Sequence, residues 1–270
     1  MNYSNNKIKN KLFSSFAIKI LAIIFMIIDH ITESTFLLWF PYLYRSKFTF
    51  TQIVTLRIIL RGIGRFSFPL FTFLIVEGFI HTKNVKKYAA TLFLFSFISE
   101  IPFDMAIFKQ FFYWGYQNVF FTLFLGLLSL VFIKKFEKDL KMQVITSFTF
   151  LLIAHLLKTD YGFPGVLMII VLYIFRERNV LKFFSFLFVI LCIYLPNDLE
   201  YIYSRIAINM PIDRYVDLFT DLFFVLMTCL SYIIMNNYNG KHGSYINKYI
   251  FYVFYPLHLF IIGLFIIYFV

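Results

Sequence analysis

Apolar stretches long enough to cross a lipid bilayer recur along this chain from Phe16 to its last residue. A transmembrane helix needs about 20 mostly apolar residues, and 61% of the 270 residues here are apolar. A soluble helical protein of this length would show polar faces at helical spacing, whereas here most polar residues fall in short connectors. The sequence therefore predicts an all-α fold, a polytopic integral membrane helical bundle that forms a single domain over residues 1–270.

The apolar stretches predict about nine transmembrane helices, with eight or ten as the alternatives because some stretches are short for a bilayer. The first stretch extends to Phe40, which is too long for the core of a signal peptide, so we expect it to remain as the first helix. The longest connector outside the bilayer would run from Pro196 to Tyr215. The predicted spans cover residues 18–40, 57–80, 88–108, 118–133, 142–157, 163–175, 182–196, 216–235 and 249–269.

Lysine and arginine are distributed unevenly between the predicted connectors. When the N-terminus is placed in the cytoplasm, the inner connectors carry most of the basic residues, as the positive-inside rule requires. The formal net charge of +11 is therefore interpreted as a topology signal that needs no nucleic-acid partner. The two cysteines, Cys192 and Cys229, fall inside apolar stretches and give neither a disulfide framework nor a metal-ligand spacing.

Ionisable residues lie near the middle of several predicted spans. A charged side chain at the centre of a bilayer costs roughly 2.5–3.5 kcal/mol, so such residues must be paired or must line a polar cavity. With a rise of about 1.5 Å per residue, Asp29, His30, Glu100 and His258 fall in one slab of the membrane, and Arg65 lies nearer the outer side. Three helices distant in sequence would thus bring ionisable groups to one buried site.

The arginines of the second span suggest partners for the acid in the first. Arg61 and Arg65 are four residues apart, which places both guanidinium groups on one helix face. We expect Asp29, with Glu33 one turn later, to face this pair. His30 should then point into the cavity, because adjacent residues diverge by about 100° around a helix. The alternative is that Asp29 and Arg65 form a buried pair that only holds two helices together.

The segment Glu100-Ile-Pro-Phe-Asp104 places two carboxylates one helical turn apart with Pro102 between them. Proline breaks the hydrogen-bond ladder and kinks a helix, which frees carbonyl groups at the depth of Glu100. We interpret the segment as the wall of a cavity. The alternative is a kink whose carboxylate pairs with an arginine of the second span. Asn118 and His258 have equally simple interpretations as residues of helix packing.

Six stretches, which together cover most of the chain in order, carry recognisable motifs. They are KILAIIFMIIDHI from Lys19, RGIGRFSFPLFTFLIVEGFIHTKNVKKY from Arg61, FSFISEIPFDMA from Phe95, NVFFTLFLGL from Asn118, YGFPGVLMIIVLYIFR from Tyr161 and NGKHGSYINKYIFYVFYPLHL from Asn239. The Arg-x-x-x-Arg-Phe-x-Phe-Pro and Ser-Glu-Ile-Pro-Phe-Asp pieces are quite specific. In these stretches the chain resembles the TraX family, named for an acetylase of conjugative F-type pilin, within a wider superfamily of membrane acyltransferases.

The resemblance implies a multi-pass acetyltransferase of the bacterial plasma membrane that uses cytosolic acetyl-CoA as co-substrate. The acceptor would be an amine or a hydroxyl at or across the membrane, such as a pilin or peptide N-terminus or a cell-surface glycan. An imidazole kept neutral by burial is a suitable general base near pH 7, and His30 is the first choice. Arg65, Asn118 or His258 would donate to the developing oxyanion. Because no cysteine is suitably placed, direct transfer is favoured over a cysteinyl intermediate.

Coenzyme A carries phosphates, so its binding site should have a basic mouth on the inner side. The segments 81–87 and 239–248 fit that description, although their lysines could serve only to fix the topology. The candidate catalytic residues are thus His30, Asp29, Arg65, Glu100 and His258, and the candidate substrate-binding residues are Arg61, Asp104, Asn118, Lys83, Lys87, Lys241 and His242, with no metal site expected.

Two other classes of function fit the same residues. Acids and histidines at the membrane midplane also form the proton relays of proton-coupled transporters. Alternatively, buried charges could serve only to lock the helices of a non-enzymatic membrane assembly factor. The sequence leaves the acceptor open.

Overall fold

The computed structural model describes residues 11–207, 215–244, 247 and 249–269. Within these residues the chain forms eleven helices and no strand, and the only β-type pairings are two isolated bridges, Phe13 with Tyr238 and Gln117 with Thr159. The helices are α1 (Ser15–Arg45), α2 (Phe50–Gly64), α3 (Ser67–His81), α4 (Val85–Ile98), α5 (Glu100–Ile107), α6 (Val119–Lys135), α7 (Leu140–Leu156), α8 (Gly162–Ile174), α9 (Asn179–Ala207), α10 (Tyr215–Asn236) and α11 (Tyr249–Phe269). The predicted all-helical architecture is confirmed for the described residues.

Polar residues in the connectors determine where several helices begin. Thr49 and Gln52 form a capping box at the start of α2, each side chain bonding the other's backbone N–H. The side chains of Asn84, Asn118 and Asp139 accept backbone N–H bonds at the starts of α4, α6 and α7. An N-cap of this kind stabilises a helix by about 0.5–2 kcal/mol. These four connectors thus end in a residue whose side chain stabilises the start of the next helix.

Two of the predicted spans are interrupted. The span predicted over 57–80 is divided into α2 and α3 at Arg65 and Phe66, and the span predicted over 88–108 is bent by 44° between α4 and α5 at Ser99. The ring of Pro102 would clash with the carbonyl of Ile98, four residues earlier, and α4 ends at that residue. The predicted proline kink is therefore confirmed.

The connector predicted from Pro196 to Tyr215 is wrong in its first part. Helix α9 continues through Pro196 to Ala207, and residues 208–214 lie outside the described residues. Apolar composition ends near Tyr194, and a hydropathy pattern alone cannot distinguish a polar connector from the polar continuation of a helix. Lys248 also lies outside the described part of the basic segment 239–248.

Four helical segments are long and apolar enough to cross a membrane, or five if the bent pair α4 and α5 counts as one span. The four are Ser15–Phe36, Phe50–His81, Phe219–Asn236 and Tyr249–Phe269, and Leu140–Leu156, Gly162–Ile174 and Asn179–Tyr194 are shorter apolar helices. Lengths and composition thus indicate a membrane protein. The count of nine spans and the cytoplasmic N-terminus remain predictions.

Glycine allows close helix contacts at two places that matter for the site. A Cβ at Gly126 on α6 would overlap the side chain of Ile169 on α8, which belongs to the main buried apolar cluster. A Cβ at Gly64 on α2 would overlap the carboxylate of Asp29 on α1. The end of α2 therefore packs directly against the middle of α1, which brings the two sets of charged residues together.

Candidate functional site

A ladder of charged side chains joins α1 to α2. Asp29 accepts hydrogen bonds from Arg61 Nη1 at 2.8 Å and from Arg65 Nη2 at 2.9 Å. Glu33 accepts from Arg57 Nη2 at 3.0 Å, and its Oε2 lies 3.2 Å from Arg61 Nε. Both helices carry their charges at a spacing of four residues, so the acids and the guanidinium groups alternate along the interface. The prediction that Asp29 and Glu33 face the Arg61 and Arg65 stripe is confirmed.

His30 is held by a histidine from the last described helix. Nδ1 of His258 lies 2.9 Å from the carbonyl oxygen of Phe254, and because a carbonyl can only accept, Nδ1 carries the hydrogen. In neutral His258, Nε2 is then an acceptor, and it lies 2.8 Å from Nδ1 of His30. Nδ1 of His30 must therefore donate, and in neutral His30 this leaves Nε2 unprotonated. This is the form that a general base requires.

The orientation of His30 does not depend on Asp29. The carboxylate of Asp29 is used by the two arginines, whereas the rings of His30 and His258 are nearly parallel, with an interplanar angle of 10°, and are joined edge to edge by their hydrogen bond. The expectation that these adjacent residues diverge is confirmed. His258 lines neither of the two cavities described below, whereas His30 lines one of them.

A cavity of about 640 Å³ adjoins both the ladder and His30. Its lining includes Asp29, His30, Glu33, Arg61 and Arg65. The cavity thus brings together an imidazole, two guanidinium groups and two carboxylates from α1 and α2. We call it the second cavity.

A cavity of about 660 Å³, the first cavity, lies nearer the N-terminus of α1. Lys19 on α1, together with Lys83 and Lys87 around the start of α4, gives its lining a basic character. His81 and His242 also line it. Lys241 does not, although its backbone carbonyl accepts the N–H of Ser15 in the same lining. The segments 81–87 and 239–248, which were expected to form one basic entrance, thus both border the first cavity. From the second segment, Gly240 and His242 line it.

Glu100, Asp104 and Asn118 gather in a separate polar cluster that lines neither cavity. The Asn118 amide donates to the Glu100 carboxylate and, at 2.7 Å, to the carbonyl of Ser96. Asp104 accepts the backbone N–H of Tyr113 at 2.8 Å. Beyond the bend at Ser99, Asp104 is bonded to the α5–α6 connector and Glu100 to the residue that begins α6, and neither carboxylate contacts His30 among the hydrogen bonds of the described residues.

This placement corrects two expectations. Neither carboxylate pairs with an arginine of α2 in the described structure, so that alternative for the Glu100 segment is wrong. Asn118 is also not available as an oxyanion donor, because both hydrogens of its amide are already donated within the protein. The hypothesis that Glu100 and Asp104 act on substrate receives no support from their position.

The second cavity also contains an acid that the sequence interpretation passed over. Asp160, in the connector between α7 and α8, lines the cavity and accepts the Tyr116 hydroxyl at 3.1 Å. Burial raises the pKa of this carboxyl to about 6, against the opposing effects of Tyr116 and Arg65. The only sequence signal was its place directly before the motif that begins at Tyr161, where an acid looks like an ordinary connector residue.

Comparisons with known proteins identify the family of this chain. The sequence profile of the family described as "TraX protein" matches residues 14–266. The protein named "Probable fimbrial assembly protein FimC, serogroup H1" of Dichelobacter nodosus is 28% identical over 269 residues, which cover 92% of this chain and 93% of that protein. No solved structure matches the chain. Because the family profile extends over nearly the whole sequence, the chain belongs to the TraX family.

Proposed function

We propose that the protein is a membrane acetyltransferase that moves an acetyl group from acetyl-CoA to an amine or hydroxyl acceptor. Acetyl-CoA would bind in the first cavity and the acceptor in the second, in the bacterial plasma membrane. The observation that carries the proposal is a chain of two hydrogen bonds, from His258 to the Phe254 carbonyl and from His30 to His258. In the neutral residues it leaves Nε2 of His30 unprotonated, and His30 lines the second cavity.

His30 would act as the general base. An acceptor amine or hydroxyl in the second cavity loses its proton to Nε2 of His30 as it attacks the thioester carbonyl. The carbon–sulfur bond then breaks, and the proton passes from His30 to the leaving thiolate, which departs as coenzyme A thiol. His258 would be a positioning residue, because its bond to Nδ1 maintains the reactive tautomer of His30.

Arg65 is the best-placed residue to stabilise the oxyanion. Its guanidinium carries five N–H donors in a planar fork. The bonds to Asp29 and to the Arg61 carbonyl use Nη2 and Nε, and the guanidinium also donates to the Tyr194 hydroxyl, so its remaining N–H groups are the candidate donors toward the second cavity. Asp29 holds the guanidinium in place, which is the kind of fixed positive charge that stabilises a developing oxyanion.

The first cavity has the chemistry that a phosphate-bearing co-substrate needs. Lys19, Lys83 and Lys87 supply point charges that bind phosphate. One carboxylate, Glu77, also lines this cavity and lies 3.4 Å from Nε2 of His81. The remaining lining is largely apolar and aromatic, including Phe71, Leu74 and Tyr252, and would suit the uncharged arm of the co-substrate.

One observation favours a second candidate, a non-enzymatic assembly factor. The charges of the ladder are paired with each other, as expected of residues that lock helices together. The relative from Dichelobacter nodosus is also named only for fimbrial assembly. The basic first cavity and the fixed tautomer of His30 have no role in such a factor, so we place it second.

The test is a transfer assay on the purified full chain in lipid nanodiscs. The protein is incubated with radiolabelled acetyl-CoA and either alaninamide as an amine or methyl glucoside as a hydroxyl compound, and released coenzyme A thiol and acetylated product are measured. We expect transfer to one of them, or slow release of coenzyme A to water, and a loss of at least about 100-fold in His30→Ala.

His155→Ala is the matched control, because His155 on α7 is exposed and lines neither cavity. It should retain the activity of the unaltered protein. Full activity in a folded His30→Ala variant would remove His30 from the mechanism. The absence of any saturable stabilisation of the unaltered protein by acetyl-CoA would favour the assembly factor.

A further inference from the structure

A single layer of four side chains separates the two cavities. Met26 from α1, Phe71 from α3, Val119 from α6 and Tyr255 from α11 each line both cavities. We call these four residues the partition.

The boundary between the cavities is sharp along the helices. On α1, Lys19 lines only the first cavity and Asp29 only the second, with Met26 between them. On α3, Phe68 lines only the second cavity and Leu74 only the first. On each of these two helices, one residue therefore borders both cavities, Met26 on α1 and Phe71 on α3.

The partition lies directly beside the candidate base. Met26 is one helical turn before His30 on α1, on the same helix face. The ring of Tyr255 lies 6.1 Å from the ring of His30 and 5.6 Å from that of His258. An acyl group that enters from the first cavity and meets a nucleophile held beside His30 must therefore lie among the four partition residues.

We propose that the partition selects the length of the transferred acyl chain, and that Met26 sets the limit. This proposal rests on the proposed function. The reaction is attack of an amine or hydroxyl on an acyl-CoA thioester. A carbon–nitrogen or carbon–oxygen bond forms, the carbon–sulfur bond breaks, and the proton of the nucleophile ends on the thiol of coenzyme A.

The surroundings of the partition explain why one residue dominates. Tyr255 is held by edge-to-face contact with Phe120 at 5.0 Å and by the two histidines. Met26 is 6% exposed and has an unbranched side chain that makes no hydrogen bond. Shortening Met26 therefore enlarges the space beside His30 without removing a polar contact. One methylene more or less in an apolar pocket changes discrimination between substrates by about 10- to 200-fold.

The experiment measures kcat/KM for acetyl-, propionyl-, butyryl- and hexanoyl-CoA with the full chain in nanodiscs, following coenzyme A thiol. We expect the unaltered protein to prefer acetyl-CoA, and Met26→Ala to raise the ratio of butyryl-CoA to acetyl-CoA by about 10-fold or more. Phe71→Leu removes volume from the opposite side of the partition and should shift the ratio in the same direction. It replaces Met26→Ala as the decisive variant if the latter does not fold.

Met168→Ala is the matched control. Met168 on α8 is fully buried and lines neither cavity, so the change removes the same atoms from the core and should leave the ratio unchanged. An unchanged ratio in folded Met26→Ala and Phe71→Leu, or an equal rise in Met168→Ala, overturns the partition proposal while acetyl transfer persists. If the unaltered protein transfers no acyl group from any of the four thioesters, the proposed function itself fails.

Discussion

Replacing Asp29 by asparagine should destabilise the protein far more than the equivalent change at Glu33. The Asp29 side chain is 13% exposed and is shared by two guanidinium groups, on Arg61 and Arg65, that are 20% and 12% exposed. Asp29→Asn leaves both arginines without this carboxylate. Removing one partner of a buried ion pair typically costs about 3–5 kcal/mol, because the other charge stays buried and uncompensated.

Glu33 occupies a different environment on the same ladder. Its side chain is 36% exposed, and that of its partner Arg57 is 40% exposed. A half-exposed ion pair contributes about 0–1 kcal/mol, and Arg61, the second partner of Glu33, keeps its bond to Asp29, so Glu33→Gln should cost no more than that. Arg65→Gln should fall between the two acidic substitutions, because Asp29 keeps its bond to Arg61.

The assay is reversible unfolding of the purified variants in mixed micelles, titrated with a denaturing detergent and followed by circular dichroism. The expected order of destabilisation is Asp29→Asn, then Arg65→Gln, then Glu33→Gln. If Asp29→Asn and Glu33→Gln lowered the free energy of unfolding equally, burial would not be what decides how much an ion pair contributes to stability, and the reasoning would be refuted.

Three further predictions concern the site. His258→Gln should lower kcat by about 10-fold or more while leaving KM for acetyl-CoA unchanged, because it disturbs the tautomer of His30 and not the first cavity; a changed KM alone would contradict this. Replacing Lys83 and Lys87 together by glutamine should raise KM for acetyl-CoA and weaken its dependence on salt, and an unchanged KM would exclude these lysines from phosphate binding. In the folded protein the pKa of Asp160 is about 6, whereas in the unfolded chain it is about 3.9. Between these values the folded state binds the proton more tightly, so the free energy of unfolding should fall as pH rises from 4 to 6, by up to about 3 kcal/mol. Unfolding titrations at several pH values should show a smaller slope in Asp160→Asn.

The contacts between α1 and α2 could be predicted because spacing alone fixes them. Asp29 and Glu33 share one face of a helix, Arg61 and Arg65 share one face of the next, and opposite charges in a membrane must meet. The proline kink was equally local, since it depends on Pro102 and the carbonyl four residues before it.

The position of the second polar cluster could not be predicted in the same way. Depth in the membrane placed Glu100 beside His30, but depth says nothing about the direction that a helix faces. The bend at Ser99 and the amide of Asn118 decide that direction, and both are tertiary facts. Asp160 was missed for a related reason. Its connector borders the second cavity only in the folded protein, and no periodic sequence pattern marks a connector.

The bond between His30 and His258 has a consequence for how the protein is made. The two residues are 228 positions apart, on the first and the last described helices. The pairing of Asp29 with Arg61 and Arg65 can form as soon as α1 and α2 have left the ribosome and entered the bilayer together. His30 acquires its fixed tautomer only when α11 arrives, so during most of the synthesis of the chain the charged residues of α1 and α2 can already pair while His30 still lacks its partner.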